Sequence, residues 1–181
     1  MTIGTKSFLY GAHQFLLHPL MLAIAWTKLF GFPVDPRIWV AFLLHDIGYV
    51  GCTDMDGATG SRHPERGARV MAFLFGKAWG DFSLFHSRSY AQQAGSEISR
   101  LCVADKYATA IMPLWLATFL VTLTGEIKEY MAAPQIQSHA TITGDVRMYC
   151  RDFRNHLSKW VAENRDTASG KLTLTPASAQ S

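Results

Sequence analysis

Cysteine is scarce in this chain of 181 residues, and its arrangement excludes a disulfide scaffold or a zinc ribbon. The three cysteines, Cys52, Cys102 and Cys150, are odd in number, lie far apart and form no Cys-x-x-Cys pair. Cys102 lies in the apolar run 101–104, where a thiol usually serves as a small core side chain. We therefore expect a reduced, cytoplasmic protein.

Charge is also sparse, and long hydrophobic runs are missing. Only 17% of the residues are charged, the formal net charge is +3, and no basic run marks a nucleic-acid-binding surface. The most apolar stretch, 111–123, has about 13 residues, whereas a membrane span needs roughly 20. The first residues lack a small-residue cleavage site for a signal peptide. We expect no transmembrane segment and no stable nucleic-acid complex.

Apolar residues recur at helical spacing along most of the chain, and strand signals are few. Asp35 followed by Pro36 is typical of a helix cap and first turn, and Gly31 and Gly125 are typical of a helix stop and a helix break. The pattern predicts an all-α protein, a compact single-domain helical bundle over residues 1–165 with a flexible C-terminal tail over 166–181. Helices are expected over 18–30, 36–45, 63–75, 82–90, 97–110, 113–130 and 145–164.

Histidine and aspartate recur at the ends or inner faces of these helices. Imidazole and carboxylate groups are the ligands of iron, manganese and similar cations. Because adjacent helical residues differ by about 100° in direction, His45 and Asp46 can reach one site only near a helix end. The glycine of the following Ile47-Gly48 indicates such an end. The candidate ligands are His18, His45, Asp46, His63, His86 and Asp105.

Five short motifs, in this order, resemble those of the HD superfamily of metal-dependent phosphohydrolases. They extend over roughly 18–107, about half of the chain. A bare His-Asp pair would be weak, but five ordered motifs in helical surroundings are specific. The motifs are His-Pro-Leu-Met-Leu-Ala from His18, Leu-His-Asp-Ile-Gly-Tyr around His45 and Asp46, His-Pro-Glu-Arg-Gly-Ala from His63, His-Ser-Arg from His86, and Val-Ala-Asp-Lys around Asp105.

The resemblance implies an HD-type helical bundle with a binuclear metal centre bridged by Asp46. The two intermediate histidines, His63 and His86, are similar to those of the two-metal branch of the family. That branch includes cyclic-dinucleotide phosphodiesterases, from which the residues after His86 depart, and symmetrical diadenosine tetraphosphate hydrolases. The implied cofactors are two divalent ions, iron or manganese foremost, with magnesium, cobalt, nickel or zinc as alternatives.

The implied activity is hydrolysis of a nucleotide-type phosphoester or phosphoanhydride, such as a dinucleoside polyphosphate, a dNTP or a cyclic nucleotide. The partner is then a small phosphate-containing substrate. Asp46 would hold the ions that activate water, while Arg88 and Lys106 are candidates for gripping phosphate because fixed cations offset developing negative charge.

Several alternatives stay open at this point. The same ligands serve HD-type diiron oxygenases that act on small polar substrates, and they would also suit a non-catalytic nucleotide-binding HD module. His13 lies about one helical turn before His18 and competes with it as the first ligand. Lys106 could form a salt bridge with a carboxylate or point away from the site. A homo-oligomer is compatible with the sequence.

Overall fold

The computed structural model describes residues 1–132 and 145–168, and within them the chain is helical and contains no strand. The all-α prediction is confirmed. Two short 3₁₀ turns, Ile47–Tyr49 and Gly60–Arg62, interrupt the order of α-helices. The described helices are α1 (Ile3–Tyr10), α2 (Leu17–Phe30), α3 (Pro36–Leu44), α4 (Pro64–Phe75), α5 (Lys77–Leu84), α6 (Arg88–Gln93), α7 (Arg100–Ile111), α8 (Leu114–Thr124), α9 (Glu126–Ala132) and α10 (Val146–Asn164).

The helix boundaries follow from local chemistry. The Asp35 side chain accepts a hydrogen bond from the Arg37 backbone N–H, at 2.9 Å, and Pro36 occupies the first turn of α3. Gly31 ends α2 at φ +86°, and Gly125 separates α8 from α9 at φ +83°. Residues with a side chain rarely adopt such angles, so glycine gives a definite stop at both positions.

Helix α7 runs through the interior and is covered from several sides. It packs against α2, α5 and α10. Its residues Leu101, Cys102, Val103 and Ala104 are completely buried, which confirms the interior position expected for Cys102. Asp105 follows directly on this buried stretch. The main core joins residues of α2, α3, α4, α5 and α7, namely Leu22, Trp26, Phe42, Met71, Phe82 and Leu101 among others.

Two helical predictions need correction. Helix α1, Ile3–Tyr10, was not expected from the sequence. The single helix predicted over 82–90 is wrong, because α5 ends at Leu84 and α6 begins at Arg88. In the interval, the His86 side chain donates from Nδ1 to the Ser83 carbonyl oxygen at 2.6 Å, and Ser87 adopts an extended backbone conformation. A side chain that bonds a nearby carbonyl competes with continued helix.

The apolar stretch of the second half lies in α7 and α8, helices of 12 and 11 residues, each shorter than a membrane span. Within residues 1–132 and 145–168 no individual helix has the length and apolarity of a membrane span, and only α7 and α8 taken together, bent by 100°, meet that measure. The tail predicted over 166–181 lies outside the described residues from 169 onwards. Its described beginning includes Ala168, which packs with Val103 and Val161.

Candidate metal centre

The six side chains singled out in the sequence converge on one buried cluster, although five separate segments supply them. Five of the six have at most 7% of their surface exposed, and His63 is partly exposed. His18 lies in the first turn of α2, His45 and Asp46 directly follow α3, His63 directly precedes α4, His86 lies between α5 and α6, and Asp105 lies in α7.

The two oxygens of Asp46 face two different groups of imidazole nitrogens. Oδ2 lies 3.1 Å from Nε2 of His45 and 3.5 Å from Nε2 of His18. Oδ1 lies 3.5 Å from Nε2 of His63 and 3.7 Å from Nε2 of His86. A carboxylate in this position can bind one cation through each oxygen, which is the arrangement expected of a bridging ligand.

Asp105 completes the group on the Oδ2 side of Asp46. Its Oδ1 lies 3.0 Å from Nε2 of His18 and 3.9 Å from Nε2 of His45. Its Oδ2 accepts a hydrogen bond from Lys106 Nζ at 2.6 Å. One oxygen of Asp105 therefore faces the cluster while a cation fixes the other.

Three of the four histidines are oriented by the same backbone device. Each places Nδ1 within hydrogen-bond distance of the carbonyl oxygen three residues earlier, so a neutral ring donates from Nδ1 and carries its lone pair on Nε2. This is the usual outer support of a histidine ligand, because it fixes both the tautomer and the ring direction. The Nδ1–oxygen pairs are His45 with Phe42 at 3.0 Å, His63 with Gly60 at 2.7 Å, and His86 with Ser83 at 2.6 Å.

This tautomer brings lone pairs towards each other. Nε2 of His63 lies 3.1 Å from Nε2 of His86, and both rings use Nδ1 for the backbone. Burial, with a further contribution from His86, lowers the pKa of His63 to about 3, so that ring is neutral near pH 7. Two such nitrogens beside a carboxylate oxygen form an electron-rich group that a cation would stabilise.

The carboxylates of the cluster are ionised near neutral pH. Burial by itself would raise the pKa of Asp46, but the imidazoles of His45 and His86 hold it well below its usual range. Burial would also raise the pKa of Asp105, but Lys106 and His18 keep that pKa well below its usual range. Anionic oxygens and imidazole nitrogens together are a donor set suited to divalent cations.

Two buried polar atoms of the cluster lack hydrogen-bond partners within the described parts of the chain. They are Asp46 Oδ2 and His18 Nδ1. An unpaired buried carboxylate oxygen is costly unless a cation or a proton binds it. With the donors already described, this fits a metal ion. Two sets of ligand atoms are close enough to hold one each: His18, His45 and Asp46, and Asp46, His63 and His86.

The end of α3 explains how neighbouring residues reach one site. The helix ends at Leu44, and Asp46 has φ −99° and ψ 3°, a bridge conformation common at functional sites. The next residue but one, Gly48, lies directly against the backbone of His63. A Cβ at Gly48 would lie 1.9 Å from the His63 carbonyl oxygen, so only glycine permits the contact. A helix end near His45 and Asp46 is thus present as expected, but it comes at Leu44, before the two residues and not after them.

The two candidate phosphate-binding cations occupy different surroundings. Lys106 is partly buried and bonded to Asp105, so it does not point away from the cluster. Arg88 begins α6, is exposed, and places its guanidinium 5.5 Å from the centre of the Trp160 ring. Burial would lower the pKa of Lys106, but the carboxylate of Asp105 raises it above its usual range, so the side chain is cationic near neutral pH.

Neither ligand set found in the described part of the chain includes a nitrogen of His13, but the His13 ring lies close to residues of the metal centre. Its centroid lies 5.8 Å from that of His18 and 4.6 Å from that of Tyr49. Tyr49 in turn stacks on His63, with centroids 4.1 Å apart and planes 12° apart. His13 therefore lies beside His18 and does not take its place as a candidate ligand.

Sequence reasoning missed Glu126, which approaches this region from α9. It is completely buried, and its Oε2 lies 3.6 Å from Nδ1 of His13. Burial would lower the pKa of His13, but Glu126, Asp46 and Asp105 together raise it to about 9. An acidic residue directly after Gly125 reads as an ordinary first-turn helix acid, and no signal in the sequence distinguishes it from one.

Comparison of the chain with protein-family models, with curated proteins and with solved structures finds no match in any of the three. The interpretation of this centre therefore depends on the geometry above and on the motifs of the sequence.

Proposed function

We propose that this chain is a metal-dependent phosphohydrolase of the HD type with a binuclear centre. The observation that carries the proposal is the division of the Asp46 carboxylate, with Oδ2 facing His18 and His45 and Oδ1 facing the other pair of imidazoles. Binuclear sites of this kind hold ions roughly 3.5–4 Å apart and act on both the attacking and leaving oxygens of a phosphoryl group.

Each residue has a definite part in this proposal. His18, His45 and Asp105 would hold one ion, His63 and His86 the other, and Asp46 both. Bound divalent cations would make a water molecule nucleophilic near pH 7 and neutralise the phosphoryl oxygens. The protein supplies fixed imidazole directions through Nδ1, ionised carboxylates, and surroundings from which most bulk water is excluded.

The ordered motifs and the nearby cations favour a phosphate-containing substrate. The five motifs resemble those of HD phosphohydrolases, and the residues they contain meet at one place. Lys106 lies beside the cluster, bonded to Asp105, and Arg88 begins the helix that follows His86. Together they would attract a nucleotide-type phosphoester or phosphoanhydride. The absence of thiolate among the ligands favours iron or manganese, with magnesium, cobalt, nickel or zinc as alternatives.

The decisive experiment combines metal analysis of the purified protein with a phosphate-release screen. The substrates are mononucleotides, nucleoside di- and triphosphates, cyclic nucleotides and dinucleoside polyphosphates, each tested with iron or manganese. We expect about two ions per chain, as binuclear centres of this type bind, and phosphate release that depends on them. Oxygen uptake with no phosphate release would favour a diiron oxygenase. A loaded protein that binds nucleotides without reacting would indicate a non-catalytic module.

The same experiment on a variant of Asp46 tests the proposed bridging role directly. In Asp46→Ala both ions lose a shared ligand, so metal retention and turnover are expected to disappear together. The matched control is Asp166→Ala, because 97% of the Asp166 side chain is exposed. If Asp46→Ala retains full activity and metal content, the proposed bridge is wrong.

A further inference from the structure

A second polar cluster lies behind the candidate metal centre and is organised by Glu126. Its Oε1 accepts hydrogen bonds from the Ala12 backbone N–H at 3.3 Å and from the Thr124 hydroxyl. Its Oε2 accepts one from the Tyr130 hydroxyl at 2.9 Å and lies 3.6 Å from His13 Nδ1. A completely buried carboxylate with this many donors is held in one position.

His13 connects this cluster with the candidate metal centre. Nδ1 of His13 lies 2.9 Å from the buried Ser7 hydroxyl and faces Glu126. One ring next to His13 is that of His18, which faces Oδ2 of Asp46. The other is that of Tyr49, which stacks on His63, and His63 faces Oδ1 of Asp46. His13 therefore stands beside both halves of the centre.

The remaining ring nitrogen of His13 is left available. Nδ1 is hydrogen-bonded to the Ser7 hydroxyl and faces Glu126 at 3.6 Å, and within the described residues no hydrogen bond to Nε2 is found. The side chain is 22% exposed, whereas Glu126 behind it is inaccessible. Among the described residues, neither candidate ligand set includes His13. A buried carboxylate, an oriented imidazole and a free Nε2 beside a reaction centre form the arrangement by which proteins present histidine to a substrate.

We propose that His13 is a substrate-contacting residue of this centre, whose Nε2 hydrogen-bonds a phosphate oxygen, and that Glu126 is the positioning residue that orients it. This inference rests on the proposed function, since it supposes that phosphate binds at the metal centre. It adds to that function a contact from the N-terminal segment and a support from α9, both outside the motif-bearing residues 18–107.

The test is nitrogen NMR of histidine side chains in the zinc-loaded protein, titrated with inorganic phosphate. Zinc is diamagnetic, and its content is measured first in each sample. In the wild type we expect the His13 resonances to report Nδ1–H next to a carboxylate, and Nε2 to shift as phosphate binds. In Glu126→Gln the Nδ1–H resonance of His13 should move away from the position it has beside a carboxylate, an effect that loss of packing alone would not produce.

Variants supply an affinity readout alongside the spectra. His13→Gln should keep the metal content of the wild type and weaken phosphate binding about tenfold to a hundredfold, as expected for loss of a hydrogen bond to a charged group. The control is His156→Gln in α10, which should bind phosphate like the wild type.

The outcomes separate this inference from the proposed function. Phosphate-dependent shifts of His13 without turnover of any nucleotide would retain the contact and reject the hydrolase. Turnover with His13 resonances unmoved at saturating phosphate would retain the hydrolase and reject the contact. The contact is also rejected if His13→Gln loses metal as Asp46→Ala does, since His13 would then be a ligand.

Discussion

The two aspartates of the centre use their oxygens differently. Asp46 turns one oxygen to each group of imidazoles, whereas Asp105 turns Oδ1 to His18 and gives Oδ2 to Lys106. Asp105 therefore has a single oxygen, Oδ1, available to bind an ion. The Lys106 ammonium both orients Asp105 and lowers its pKa, so a residue considered first for phosphate binding also supports a ligand.

Removal of the Lys106 charge should therefore affect metal binding as well as substrate. In Lys106→Met the side chain keeps most of its length but no longer fixes Asp105, and we expect metal affinity to fall about 10–100-fold, as for loss of other ligand-supporting contacts. The measurement is metal titration followed by calorimetry. Lys28→Met, at an exposed position of α2, is the control. Unchanged metal affinity in Lys106→Met would assign Lys106 to substrate alone.

At the scale of helices, the centre is assembled largely from helix ends and breaks. His45, Asp46, His63 and His86 all lie just outside regular helices, where side chains and backbone can turn towards one point. Close packing of α4 on the end of α3 makes this possible. A Cβ at Gly67 would lie 2.3 Å from the Leu44 carbonyl oxygen and 3.2 Å from the Cα of His45.

Gly67→Ala tests this helix contact. In most helix interiors alanine is more favourable than glycine by up to about 1 kcal/mol, but here the added methyl group meets backbone. We expect the free energy of unfolding to decrease by about 1–3 kcal/mol, the usual cost of overpacking. Denaturant titration measures it. Arg69→Ala, on the exposed side of the same helix, should change stability by less than about 0.5 kcal/mol. Stabilisation by Gly67→Ala would show that α3 and α4 are not in close contact.

Sequence predicts helices well where caps and stops are local, and less well elsewhere. Asp35 with Pro36, Gly31 and Gly125 marked boundaries that the structure has. The break around His86 was missed because it depends on the ring bonding the Ser83 carbonyl, and a ring direction is not visible in hydropathy. The six ligand candidates could be named from the sequence because His and Asp recur at the ends or inner faces of predicted helices, in five ordered motifs that resemble those of the HD superfamily.

At the scale of the whole molecule, distant segments meet in ways that the sequence does not reveal. Glu126 and Ala12 are 114 positions apart and hydrogen-bonded, and Glu129 accepts a hydrogen bond from the Met55 backbone N–H at 2.7 Å. Through these contacts α9 holds the segment before His18 and the loop before His63. Such long-range pairs have no periodic signature, so neither was predicted.

Because five segments share the proposed ions, metal removal should destabilise the entire protein. A ligand present at 100 times its dissociation constant stabilises the native state by about 2.7 kcal/mol, which corresponds to roughly 5–10 °C in Tm for a domain of this size. Thermal unfolding with and without a chelator should show a decrease of that order. In Asp46→Ala the chelator should have no effect. Equal Tm values for the loaded and stripped wild type would mean that ions do not link these segments.

The central claim is that Asp46 bridges two ions, and anomalous X-ray scattering from crystals of the manganese-loaded protein tests it most directly. We expect two anomalous peaks roughly 3.5–4 Å apart, one on each side of the Asp46 carboxylate. One peak should lie among His18, His45 and Asp105, and the other between His63 and His86. A single peak remote from Asp46, or none at saturating manganese, would contradict the account.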